Sequence, residues 1–162
     1  MPRGSADAVS FKAAPQTAEE FADQVNELTD LLTTLPATFS GTLSVHISRS
    51  GLTIEQLAEI CGISEKTIQR YKASDENECE LPILVTLCIG LKLHPILSFD
   101  LLSKAGYGTL KSSKKHTAYK LILLTMHECS IEQCHEYINA IDLGLFHRQK
   151  QFVQTLNVHS EI

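Results

Sequence analysis

Metal ligands and acid–base pairs are the first chemistry to look for in this chain. His127, Cys129, Cys134 and His135 bring imidazoles and thiols close together in sequence. A zinc site requires four such groups to converge at about 2.0–2.3 Å from one ion. The spacing straddles a helix break at Cys129–Ser130 and matches no standard knuckle, and Cys134 is wanted on an apolar helical stripe. Buried thiols and exposed imidazoles are therefore expected, not a metal. The carboxylate pairs Glu19–Glu20 and Glu76–Glu78 fall on polar segments with no pocket to shift their titration. The chain has no glycine-rich phosphate loop, nucleophile elbow or His-Glu-x-x-His run. The reading is of a protein that is not an enzyme and carries no cofactor.

Recognition chemistry has a clearer frame, which runs from Thr53 to Tyr71 as TIEQLAEICGISEKTIQRY. Thr53 and Gln56 have capping-box spacing at the start of one short helix, whose inward face is Leu57, Ala58 and Cys61. Gly62 stands where the turn needs positive φ or close approach. Ile63 plugs the core, and Ser64 offers its hydroxyl to cap the next helix. On that second helix Ile68 and Tyr71 face inward, which leaves Glu65, Lys66, Gln69, Arg70 and Lys72 outside.

This pattern resembles the helix-turn-helix of the Xre/phage-repressor (Cro/C1-type) family of DNA-binding proteins. The positions that carry it are the small Ala58 at the helix crossing, Gly62 in the turn, apolar Leu57, Ile63 and Ile68, and the run GISEKTIQRY. The resemblance implies a repressor-like five-helix domain over residues 39–107, with residues 64–72 entering the major groove. It transfers base-facing roles to Glu65, Lys66 and Arg70, with Thr67 and Gln69 nearby. Lys66 and Arg70 can donate to guanine O6/N7, and Glu65 can accept from cytosine N4. Thr53, Ser64 and Lys72 complete the DNA-binding set. The family's usual phosphate-binding Gln is replaced by Ile54, so only the helix N-terminal amides at Ile54 and Glu55 remain for a phosphate there.

With 162 residues and 43% hydrophobic content, the chain can bury a core and accommodates one domain plus an appendage. No apolar run reaches membrane-span length, and the N-terminus lacks a secretory signal. Five cysteines in no regular framework suggest reduced thiols in a cytoplasmic protein. The net charge of −5 is unfriendly to DNA, but it is unevenly placed. Residues 1–38 balance at −4, residues 39–75 are neutral, Glu76, Glu78 and Glu80 add −3, and residues 81–162 balance at +2. Nonspecific phosphate attraction should be weak, so binding should depend on dimerisation and a few placed contacts.

The remaining elements follow in order. Residues 1–16 read as a flexible leader, with residues 1–5 resembling a tag-cleavage remnant. Residues 17–36 read as an N-terminal amphipathic helix, capped by Thr17 and Glu20 and striped by Phe21, Val25, Leu28, Leu32 and Leu35. That stripe serves either its own domain or a dimer. Phe39 to Ser50 is the next helix, with Leu43, Val45 and Ile47 apolar. The loop after Tyr71 holds Asp75, Glu76, Glu78 and Glu80, which would repel phosphates if they faced DNA. Pro82 starts a helix apolar nearly all round, and a further helix after His94–Pro95 turns Ile96, Phe99, Leu102 and Tyr107 inward.

Residues 108–162 read as a C-terminal helical hairpin and tail for dimerisation or partner binding. Lys111, Lys114, Lys115, His116 and Lys120 lead into a stripe of Tyr119, Leu123 and Met126, broadened by Ile122 and Leu124. Ser130 and Gln133 repeat the capping-box spacing ahead of Ile131, Cys134, Tyr137, Ile138 and Ile141, with Gly144 as the stop.

The fold class expected is all-α. The expected function is sequence-specific transcription regulation by a homodimer on double-stranded DNA, with a protein or peptide effector and no membrane. The alternative is a protein-interaction module that keeps the repressor fold without strong DNA binding.

Overall fold

In the computed structural model, the described residues are 14–76, 78–108, 113–125 and 129–140. They form eight α-helices and no strand: α1 Ala18–Thr34, α2 Phe39–Ser50, α3 Ile54–Cys61, α4 Glu65–Ala73, α5 Leu81–Gly90, α6 Pro95–Lys104, α7 Lys114–Thr125 and α8 Ile131–Ala140. The leader 1–13, the tail 141–162 (with Ile141 and Gly144), Lys111, Met126 and His127 lie outside the described residues. The side chains of His135, Tyr137 and Ile138 do as well.

The core is organised around α5. Its apolar sequence has no preferred side, and every residue of the helix except Pro82 is buried. Such a helix needs neighbours all round, and α3, α6, α7 and α8 supply them. Helix α2 packs on α4 and α6, α3 on α4, and α1 on α6. Pro82 occupies the first turn one residue later than expected, because the helix opens at Leu81.

Where the structure departs from the sequence reading, the cause is the placement of neighbours. On α1, Leu28 and Leu31 are buried and Leu32 and Leu35 pack against the core, whereas Phe21 and Val25 stay exposed. Only the C-terminal half of that stripe reaches the domain. Its cap is half a capping box. Thr17 Oγ1 accepts from Glu20 N at 3.0 Å, but the Glu20 carboxylate accepts from Gln16 N at 2.6 Å. Val45 on α2 is half-buried, and the inward face is Phe39, Thr42, Leu43, His46 and Ile47.

On α6 the expected phase is shifted. Leu97, Ser98, Leu101 and Leu102 are inside, Phe99 is half-buried and Ile96 is exposed in the first turn. Being held between α2 and α5 sets that phase. Tyr107 is half-buried, and its hydroxyl donates to Cys79 O at 3.0 Å, tying the end of α6 to the loop ahead of α5.

The C-terminal helices dock on the same core rather than standing apart. Tyr119, Ile122 and Leu123 of α7 and Ile131 and Cys134 of α8 are buried with it. Leu124, read as part of that stripe, points to solvent with Leu121. The Ser130–Gln133 capping box forms in both directions, at 3.0 and 3.2 Å.

Candidate nucleic-acid interface

The α3–α4 unit is fixed by short-range hydrogen bonds at each end. Thr53 Oγ1 accepts from Gln56 N at 3.0 Å, and Gln56 Oε1 accepts from Thr53 N at 2.9 Å. At the other end Gly62 takes the left-handed conformation, φ 68° and ψ 28°, and its N–H points to Ala58 O. Ile63 N also donates to Ala58 O, at 3.1 Å. A β-carbon at Gly62 would strain this turn. Ser64 Oγ accepts from Thr67 N at 3.1 Å and lies 2.8 Å from Thr67 Oγ1. Two residues of the expected DNA-binding set are thus engaged with each other, and they fix where α4 begins. Ile54, in place of a polar clamp, is half-buried against the core.

Ile68 and Tyr71 seat α4 in the core. Opposite them Glu65, Lys66, Gln69 and Arg70 are exposed, as is Thr53, while Lys72 and Thr67 are half-buried. Three- and four-residue spacing gathers these side chains on one surface, with Lys66 and Gln69 near its middle. Arg70 is turned to one flank. Its guanidinium lies 5.1 Å from the Tyr71 ring centroid, and Nη2 is 3.4 Å from the Tyr71 hydroxyl. It borders a cleft shared with Gly62, Ile63, Ser64, Thr67, Tyr71, Glu80 and Ile83.

The acidic loop divides its charges. Asp75 Oδ1 accepts from Ser40 N at 2.7 Å, which places a carboxylate at the N-terminus of α2, where the helix dipole favours it. Glu76, Glu78 and Glu80 remain exposed. Replacing Asp75 with Ala is expected to lower stability by about 0.5–1 kcal/mol, read as a shifted midpoint in urea unfolding. An unchanged midpoint would mean that water satisfies Ser40 N equally well.

A second polar cluster lies where α2 meets α6. His46 is 3% exposed, and its Nε2 has no hydrogen-bond partner. Burial pulls its pKa down to about 4, against the opposing pull of Asp100, while Lys104 and Arg49 lower it further. Lys104 Nζ sits 2.9 Å from Asp100 Oδ2 and donates to Thr42 Oγ1 at 3.1 Å. Reading the sequence for DNA contacts overlooked this cluster. Its signal was a histidine in phase with Phe39, Leu43 and Ile47, opposite an i, i+4 Asp–Lys pair.

Among the described residues no group of three or more His, Cys, Asp and Glu side chains is placed to hold a metal. Cys134 is buried, and burial raises its thiol pKa to about 12. Cys129 is half-buried, and His127 and the side chain of His135 lie outside what is described. No helix among the described residues is long and apolar enough to cross a membrane. Comparison with protein-family models, with curated proteins and with solved structures gave no match.

Proposed function

We propose that this chain is a sequence-specific DNA-binding transcription regulator of the Xre type. It works as a homodimer in the cytoplasm, with α2 to α6 as a repressor-like unit and α4 laid in the major groove. The observation that carries this reading is the outer surface of α4. Lys66 and Gln69 stand exposed on a helix fixed at its start by the Gly62–Ser64 turn, and Glu65, Arg70 and Lys72 flank them. Lys66 supplies a donor for guanine, Gln69 a donor–acceptor pair for adenine and Glu65 an acceptor for cytosine N4. Arg70 has two jobs, because its packing on Tyr71 would have to be exchanged for a base or phosphate.

Selection of bound sequences from a random duplex pool at two salt concentrations tests the proposal. The expected result is a two-fold symmetric motif with weaker recovery at the higher salt. On that motif Lys66→Ala is expected to cost roughly 1–3 kcal/mol and to relax specificity at one base pair per half-site. Lys66 is the cleaner probe, since Arg70→Ala also removes the contact with Tyr71. No enrichment at either salt overturns the proposal.

The exposed Glu76, Glu78 and Glu80 beside α4 favour a second reading, a protein-interaction module that uses the same fold for a basic partner. Salt weakens both charge-mediated contacts, so what separates the two is enrichment of a duplex sequence, which only the DNA reading predicts.

A further inference from the structure

Arg70 starts from the outer face of α4. It is the i+4 neighbour of Lys66 and follows Gln69, and all three are exposed. Extended outwards, its side chain would stand beside theirs on the surface that faces bases. Instead the guanidinium lies 5.1 Å from the Tyr71 ring centroid, with Nη2 3.4 Å from the Tyr71 hydroxyl. There it borders a cleft whose remaining wall is Glu80 and Ile83, at the start of α5.

Two features make Glu80 more than one further surface acid. Its backbone is fixed on both sides. Tyr107 donates to Cys79 O at 3.0 Å, the Cys79 side chain is buried, and Glu80 O accepts from Leu84 N at 3.0 Å as α5 begins. Its carboxylate, moreover, is not spent on the helix that it precedes. Glu80 is the N-cap of α5, a place that favours Ser, Thr, Asp or Asn, and it makes no side-chain cap hydrogen bond there. The side chain lines the cleft with Arg70 instead, which Glu76 and Glu78 do not. The Cys79 thiol registers both charges. Burial, then Cys88, raises its pKa to about 12, with Glu80 adding to the rise and Arg70 opposing it. Carboxylate and guanidinium thus lie near one buried sulfur.

We propose that Glu80 is a positioning residue that holds Arg70 off the reading surface of α4, offering its guanidinium in the free protein the anion that DNA offers in the complex. This rests on the DNA-binding reading above and names how that site is held in check. DNA must draw Arg70 out of the cleft, exchanging one set of acceptors for another. A chain without the Glu80 carboxylate starts with Arg70 extended more of the time, so it binds its operator more tightly although no DNA contact has been added. Both side chains are exposed, so water screens their attraction and the effect is modest.

NMR of the full chain without DNA reads the posture, and operator affinity reads its consequence. Arg70 side-chain protons over the Tyr71 ring are shielded by its ring current. In wild type they are expected upfield of their unfolded-chain positions, identified by their loss in Arg70→Lys. In Glu80→Gln they should move back toward those positions. Glu78→Gln, which removes the same charge outside the cleft, should leave them in place. Glu80→Gln should also tighten operator binding about two- to fivefold more than Glu78→Gln does. In an Arg70→Ala background the two substitutions should be equivalent. No cap bond of α5 is lost, so the fold is retained, which circular dichroism checks.

Arg70 resonances unmoved by Glu80→Gln overturn the inference, whatever happens on DNA. Equal tightening by Glu78→Gln overturns it as well, since general charge repulsion then explains the gain. So does a gain that survives Arg70→Ala. If wild type enriches a motif and Glu80→Gln gains nothing on it, the DNA reading stands and only this inference falls. If neither chain enriches any duplex, the DNA reading fails and this inference falls with it.

Discussion

Acidification from pH 7 to pH 4 should remove about 3 kcal/mol of stability through one side chain, His46. In the fold this imidazole is buried between α2 and α6 and titrates near 4, with burial as the main cause. In the unfolded chain it titrates near its ordinary value of 6.5. Below that value the unfolded state binds a proton that the folded state does not, so stability falls as pH falls. The loss starts near pH 6.5 and is complete near pH 4, where the folded imidazole is also protonated. Above pH 6.5 the group contributes no slope. Asp100 works against the shift but is already engaged by Lys104 at 2.9 Å, which limits its help to an imidazolium. Urea unfolding across this range should show the slope in wild type and a much flatter one in His46→Gln. The carboxylates titrate in both proteins, so the difference between the two curves isolates the histidine. Identical slopes would show that His46 reaches water or moves on protonation.

The second large effect is expected at Gly90, the last residue of α5. A β-carbon there would collide with Cys61 Sγ and come within 3.5 Å of Leu57 Cδ1 and 3.7 Å of Ile60 Cγ2. Cys61 has little room to yield, being 2% exposed with its thiol directed to Thr86 O at 3.6 Å. Gly90→Ala is therefore expected to cost about 1–3 kcal/mol through overpacking, although alanine is the better helix former. The cause is checked by a double-mutant cycle with Cys61→Ala, which removes the obstructing sulfur. The two changes together should destabilise less than their sum, with a coupling of about 0.5 kcal/mol or more. Strict additivity would mean that α3 and α5 separate slightly instead of clashing. The same crossing sets the position of the α3–α4 turn, so in a DNA-binding protein Gly90→Ala should also weaken operator affinity.

Much of the candidate interface was legible because it is local. The reciprocal bonds of Thr53 and Gln56, the left-handed Gly62 and the Ser64 cap each depend on side chains or backbone a few residues apart. The inward pair Ile68 and Tyr71 followed from helical spacing alone. The posture of Arg70 was not legible. Exposure on a short helix predicts a side chain directed at solvent, yet the Tyr71 ring and the cleft bordered by Glu80 draw it to one flank. Asp75 likewise read as one more repelling acid, and only the approach of α2 made it a partner for Ser40 N.

By itself the sequence determined the all-α class found among the described residues, the start or end of several helices, and a central apolar helix read from Pro82 that the structure opens at Leu81 and ends at Gly90. Caps, prolines and glycines act within one turn, so their effect does not wait for the rest of the fold. Tertiary structure decided which parts of each stripe are covered. Leu28 and Leu31 are inside while Phe21 and Val25 are not, and Ile122 and Leu123 are inside while Leu121 and Leu124 are not. Periodicity marks a face, but burial requires a neighbour at that height along the helix. The same holds for His46, whose low pKa comes from the arrival of α6, an element about fifty positions away in the chain. Spacing within a helix is set by the backbone, whereas coverage is set by where the other helices end.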